Sequence, residues 1–439
     1  LNLSHRVWLA IALALGCGCA DGQQGVEDAS ALGDLSSPHG DFDLASADFA
    51  DTDGPIVTTG SNVVPMIVDT GPAGNGYNTP YISIKLCAPG STSNCTTIDH
   101  IEVDTGSVGL RIISSAIVAS SATGAAVLSA LPNAQASGQN LTECFIFGDG
   151  FVYGSVRTGD VSIGGESVAG TPFVVMGDPT YGGDIPSSCY DSGTEEDTVA
   201  SFGANGIIGM DLFNPDCGAD CTGTSQSNPI YYGCPSATTC AEIAVPVAAQ
   251  VPNLVAKLAS DNNGLVLELP AIGVAGAGTT TGSLTFGIGT RANNALGSAT
   301  VYQATNGASK GTVTTQYDGV SYTNAYFDSG TSDLSFPNGA IADCTGALAG
   351  FDCPTMTQHL TATIIDVADT MGTVSFTVAN ASTTLAFETT TNCAFDDLAD
   401  TGSGSTSFAW GLPFFFGRKV FFAIDGASTP GGAGPYYAF

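Results

Sequence analysis

Cationic side chains are nearly missing from this chain: Lys plus Arg number 9 in 439 residues, against 41 Asp plus Glu, for a formal net charge of −32. Such a surface opposes a phosphate backbone and an anionic bilayer alike, which excludes nucleic acid as a partner and leaves an attached anchor as the one route to a membrane. The acid excess itself reads as colloidal solubility, in a salty or acidic medium where screening or protonation relieves self-repulsion. Histidine is scarce as well. The four His stand apart at positions 5, 39, 100 and 359, which gives a serine triad little support. What is abundant is 43% hydrophobic residues and 57 Gly, with Thr and Ser between short Val/Ile-rich runs. That composition describes a β-rich protein with many turns, and the length suggests two or three globular units.

The first residues read as an export signal: His5 and Arg6 supply a cationic start and Val7 to Leu15 are almost wholly apolar, a stretch too short to span a bilayer. Ala14-Leu15-Gly16-Cys17 resembles the lipobox of bacterial lipoproteins. That resemblance implies a signal peptide over residues 1–16, acylation of Cys17 and an exported lipoprotein of the bacterial cell envelope. The alternative is an ordinary secretory signal cleaved near Ala20, giving a secreted protein. Residues 18–60 contain nine acidic residues and no Lys or Arg, so they cannot bury enough apolar surface to fold alone, and residues 17–61 are expected to be a solvated tether.

Thirteen Cys in an exported chain suggest disulfides more than free thiols. Close pairs suggest themselves at Cys87/Cys95, Cys217/Cys221, Cys234/Cys240 and Cys344/Cys353, with Cys144/Cys189 as a longer loop and Cys393 left over. Spacing does not determine connectivity, and Cys217, Cys221, Cys234 and Cys240 could alternatively hold zinc, although their spacings are loose for it. No metal or cofactor is expected. From Val63 onward short β runs such as VVPMIV and YISIKL alternate with Gly, Pro, Asn and Ser. Residues 243–260 form the clearest helix candidate, confined by Pro246 and Pro252 to the second half.

Five Asp-[Ser/Thr]-Gly triplets occur, at Asp69, Asp104, Asp191, Asp328 and Asp400. A catalytic Asp needs a strand behind it, a Gly that lets the backbone turn tightly, a hydroxyl nearby to orient the carboxylate, and apolar residues afterwards to lock the loop into a core. Asp104 in HIEVDTGSVGLRII and Asp328 in AYFDSGTSDLSF meet all four demands. Ser107 and Thr331 supply the hydroxyls, and Gly106 and Gly330 the turn. The other three triplets lack the following strand and read as ordinary turns. Two carboxyls brought close together share one proton. One can then act as base on a water while the other donates to a peptide carbonyl.

From about Pro80 to the C-terminus the chain resembles the pepsin-like aspartic proteases. The resemblance is carried by the two Asp loops, by Gly206-Ile207-Ile208-Gly209-Met210, by Gly282-Ser-Leu-Thr-Phe-Gly287 and by Ala409-Trp410-Gly411. It implies an all-β, bilobal fold with a cleft between lobes at residues 62–262 and 263–439. It also implies a flap hairpin at residues 147–150, formed by Phe147, Gly148, Asp149 and Gly150. Two positions depart from that pattern: Phe147 stands where a flap Tyr is expected, and Arg111 where a Trp usually bonds to that Tyr. Other strings, including Cys87-Ala-Pro-Gly and Gly411-Leu-Pro-Phe-Phe-Phe-Gly-Arg418, resemble an uncharacterised family of exported bacterial proteins. The expected function is an aspartic endopeptidase, a monomer acting on an extended polypeptide. The rivals are a catalytically silent peptide- or glycan-binding surface lipoprotein and a structural surface lipoprotein.

Overall fold

The structure is a computed structural model that describes residues 56, 58–148, 150–183, 185–224, 226, 229–306, 311–385, 391–402 and 404–439. The signal peptide, Cys17, nearly all of the 17–61 segment and Asp149 lie outside the described residues. What is described is mostly β-sheet, in one 17-stranded and one 7-stranded assembly. No helix among the described residues is long and apolar enough to cross a membrane.

One strand arrangement occurs twice and sets the position of both Asp loops. The strand Cys95–Asp104 ends on the first Asp, and the chain returns as Val108–Ile113. Between them lies Gly206–Met210, parallel to the first, with Gly209 opposite Asp104, and antiparallel to the second. In the second half Val320–Phe327 leads into Asp328 and Leu334–Ser335 leaves it. There Ser407–Trp410 is the parallel partner of the incoming strand and the antiparallel partner of the outgoing one. The apolar character of these segments follows from burial on both faces: every residue of Val108–Ile113 and of Gly206–Met210 is buried. Strands from both sides of residue 262 meet in the larger assembly, as where Val63–Val68 pairs with Thr280–Phe286.

Five disulfides join Cys87 to Cys95, Cys144 to Cys189, Cys217 to Cys221, Cys234 to Cys240 and Cys344 to Cys353. The four cysteines considered as a zinc set are thus consumed in two of these bridges. Five bridges suit an oxidising compartment. Cys393 is free and buried, and its thiol donates to the Gly278 carbonyl at 2.6 Å. Burial, with Asp69 adding to it, pushes its pKa up to about 11, so little thiolate exists near neutrality. Cys393 is therefore expected to resist alkylation in the native protein and to react on unfolding, read by mass spectrometry as label gained on the Cys393 peptide. Labelling of the folded chain at the rate of the unfolded one contradicts this.

The expected helix over 243–260 is replaced by two single 3-10 turns, Val247–Ala249 and Val255–Lys257. The segment bonds to distant loops in place of a helix's own ladder, partly through its backbone and partly through its own side chains. The Tyr231 hydroxyl accepts from the Val251 N–H at 2.7 Å, Gln250 binds the Gly218 and Val245 carbonyls, and Asn253 binds the Asp211 carbonyl. With prolines already interrupting the run, these bonds favour an extended strap.

Candidate active site

Asp104 and Asp328 are brought together. Each closes a strand and turns on its own glycine: the Gly106 N–H donates to Asp104 Oδ1 at 2.7 Å, and the Gly330 N–H to Asp328 Oδ1 at 2.8 Å. The second oxygen of each accepts a hydroxyl, Ser107 on Asp104 and Thr331 on Asp328, the latter at 2.7 Å. Neither glycine could carry a side chain. A methyl group on Gly106 would stand 2.6 Å from the Asp328 carboxyl, and one on Gly330 would stand 2.8 Å from that of Asp104. Each loop therefore lies against the opposite carboxyl, and the two carboxyls come within hydrogen-bonding reach of one another.

The middle residues of the triplets lock the loops to each other. The Thr105 N–H donates to Ser329 Oγ at 3.2 Å and the Ser329 N–H to Thr105 Oγ1 at 2.9 Å. The Thr105 hydroxyl donates to the Phe327 carbonyl at 3.3 Å and the Ser329 hydroxyl to the Val103 carbonyl at 2.6 Å. All of this is buried. The sequence points to Ser107 and Thr331 as orienting hydroxyls but not to this cross-lock, whose one local signal is the hydroxyl residue following each Asp. Ser329→Ala removes the acceptor of the Thr105 N–H and a donor to the Val103 carbonyl in the interior and is expected to destabilise by about 1–3 kcal/mol. A denaturant midpoint unchanged from wild type contradicts the lock.

Glycines also hold the loops from behind. A methyl group on Gly209 would meet the backbone of Ser107 and Val108 at 2.5 Å, and one on Gly411 would meet the Asp333 carbonyl at 2.0 Å. Gly209 within the third strand of the first half, and Gly411 directly after that of the second, thus press on the loops.

Asp328 keeps partial access to solvent, yet its carboxyl is held well above the ordinary range, first by desolvation and then by the charge and hydrogen bond of Asp104. Tyr326, two residues earlier on the same strand, has its pKa pushed up to about 12 by burial and by the charges of Asp328 and Asp104. It is a neighbour of both carboxyls that the sequence did not single out.

The hairpin Gln139–Ile146 and Gly150–Ile163 turns at 147–150, where the Phe147 N–H donates to the Gly150 carbonyl at 2.8 Å. Tyr153 lies in the ladder opposite Cys144. Gly148 is exposed. The Phe147 ring lies 5.0 Å from that of Phe145 and 6.1 Å from that of Phe202. Thr194–Glu195 adds a short parallel strand beside Gly150 and Phe151. Arg111 does not reach the tip: it bonds Glu143 further down the hairpin at 2.7 Å. The remaining triplets are turns or helix ends. The Gly71 N–H donates to Asp69, the Gly402 N–H donates to Asp400, and Asp191 ends the short helix Ser187–Tyr190.

The fold is similar to the crystal structure of an aspartic proteinase from Irpex lacteus, at 15% identity over 86% of this chain and 96% of that one, with a TM-score of 0.48. No curated protein matches the chain. Residues 58–439 match the family model DUF3443, described as a protein of unknown function, and the chain belongs to that family.

Proposed function

We propose that the protein is an aspartic endopeptidase in which Asp104 and Asp328 share a proton and activate a water against a peptide bond. The observation that carries this reading is the mutual approach of two carboxyls, each fixed by a glycine N–H and a hydroxyl, in surroundings that push the Asp328 carboxyl above its ordinary range. Asp104 in its ionised form takes the water proton. Asp328 donates to the carbonyl oxygen, and no metal or covalent intermediate is required. In this reading the lobes are residues 62–262 and 263–439, the 147–150 hairpin covers the cleft, and an extended polypeptide binds as a strand, its main chain giving affinity and side-chain pockets giving selectivity. The protein acts as a monomer, anchored to the envelope through Cys17.

The second reading is a peptide- or glycan-binding protein without turnover. It is favoured by Phe147, which offers no hydroxyl, and by the engagement of Arg111 with Glu143 away from the tip. Unfolded protein substrate incubated from about pH 3 to about pH 7, beside an Asp104→Asn control, separates the two. Acid cleavage that disappears in the control supports the peptidase. Tight peptide binding with no cleavage by the wild type supports the second reading.

A further inference from the structure

The strand that follows Asp104 is tied to the hairpin by a buried cluster holding more carboxyl groups than cations. Arg111 sits on Val108–Ile113 and is wholly buried. Its Nε donates to Glu143 Oε1 at 2.7 Å, its Nη1 donates to the Val108 carbonyl at 2.8 Å, and its guanidinium lies 3.8 Å from the centroid of the Phe145 ring. Its Nη2 makes no hydrogen bond and faces Asp216 Oδ2 at 3.8 Å. Asp216 accepts from the Tyr231 hydroxyl at 2.9 and 2.8 Å. Glu143 and Asp216 lie within hydrogen-bonding reach of each other, yet Glu143 Oε2 receives no donor.

The charge balance decides what joins them. One guanidinium, two carboxyls and a phenol meet here, and the side chains of Arg111, Glu143 and Asp216 are at most 1% exposed. With both carboxyls ionised, one negative charge would stand uncompensated in the interior, at a cost of several kcal/mol. One proton between Glu143 and Asp216 makes the cluster neutral and gives Glu143 Oε2 its partner. The phenol does not relieve the charge, because burial and the same two carboxyls hold Tyr231 protonated.

The cluster joins three elements. Arg111 continues from the Asp104 loop, and Glu143 and Phe145 belong to the hairpin strand that ends at Ile146. Asp216 follows the strand whose Gly209 presses on the Asp104 loop. Phe145 carries the contact on to Phe147 at the tip. We infer that Arg111, Glu143 and Asp216 are positioning residues, a second proton-sharing carboxyl pair seated on a guanidinium that holds the 147–150 hairpin in register with Asp104. The positioning role rests on the hydrolytic reading of Asp104 and Asp328; the shared proton does not. As pH rises the pair is pressed to give up that proton, and the hairpin loses its tie to the first Asp loop.

Two variants of the full chain test this. In Glu143→Gln the amide oxygen can still accept from Arg111 and the amide nitrogen can donate to Asp216, a permanent copy of the shared-proton state. In Glu143→Leu both contacts are gone. The melting temperature of Glu143→Gln is expected at or slightly below wild type near about pH 5 and above it near about pH 9. Curves that stay parallel across that range overturn the shared proton. In acid cleavage Glu143→Leu is expected to raise KM about tenfold with a smaller change in kcat, and Glu143→Gln to restore wild-type KM within about twofold. Wild-type KM in a folded Glu143→Leu overturns the positioning role. Absence of cleavage by the wild type overturns the hydrolytic reading and the positioning role with it, while the melting curves still decide whether the proton is shared.

Discussion

Asp328→Asn is expected to lower acid peptide hydrolysis by about three orders of magnitude and, in the same molecule, to raise stability at neutral pH. The loss follows because the amide holds the place of the carboxyl but cannot hand a proton to the carbonyl oxygen. The gain follows from linkage. Desolvation and the Asp104 charge hold the native pKa of Asp328 above its unfolded value, so the native state binds more protons and stability falls as pH rises through that range. Asn has no proton to keep, so the penalty disappears above the ordinary carboxylate range. Below that range both forms carry neutral groups at 328 and the difference should vanish. Steady-state cleavage beside thermal melts at about pH 4 and about pH 8 reads both effects. A variant that loses activity and is equally destabilised at both pH values would mean that Asp328 is a structural residue.

The folded protein as a whole is expected to be more stable in mild acid than at neutrality. Asp352 is fully buried, and desolvation pushes its pKa up to about 7 against the hydrogen bonds from Asn338, with Asp343 and Asp400 adding to the rise. Asp397 is raised to about 6 by burial and by Asp396. Both native values lie above the unfolded ones, so this stability is complete in acid and is lost between about pH 4 and about pH 7. At about 1.4 kcal/mol per pKa unit, Asp352 alone accounts for a few kcal/mol. Self-repulsion from a net charge of −32 acts in the same direction. Asp178 sets the opposite, acid edge. Although burial acts to raise its pKa, hydrogen bonds from Ser155 and Arg157 bring it below the ordinary value, and its contribution is lost only as pH falls through that lowered value. Urea midpoints should therefore drop from about pH 5 to about pH 8, and Asp352→Asn should flatten the drop. A midpoint that rises over this interval contradicts the burial of these carboxyls in uncompensated settings.

The local chemistry of an Asp-[Ser/Thr]-Gly triplet does not distinguish a catalytic loop from an ordinary turn. Asp69 and Asp400 accept from the glycine two residues on at 2.8 and 2.9 Å, much as Asp104 and Asp328 do at 2.7 and 2.8 Å. What separated them in the sequence was the strand on either side. An apolar run such as VGLRII after Asp104 can be buried on both faces, whereas Pro-Ala-Gly after Asp69 cannot continue a ladder. The half-cystine pairs were legible for a similar reason, since four of the five span fewer than ten residues and short loops close readily.

Residue types, their period along the chain and their immediate neighbours therefore determined the β class, the two Asp loops and the short disulfides, because each depends on interactions within a few residues. The tertiary structure alone decided the rest. Thr105 meets Ser329 across 224 positions, Arg111 meets Glu143 across 32, and Gln250 draws the 243–260 segment onto Gly218 across 32 more. A buried donor takes whichever acceptor the packed core brings within about 3 Å, and no local pattern records which one that will be.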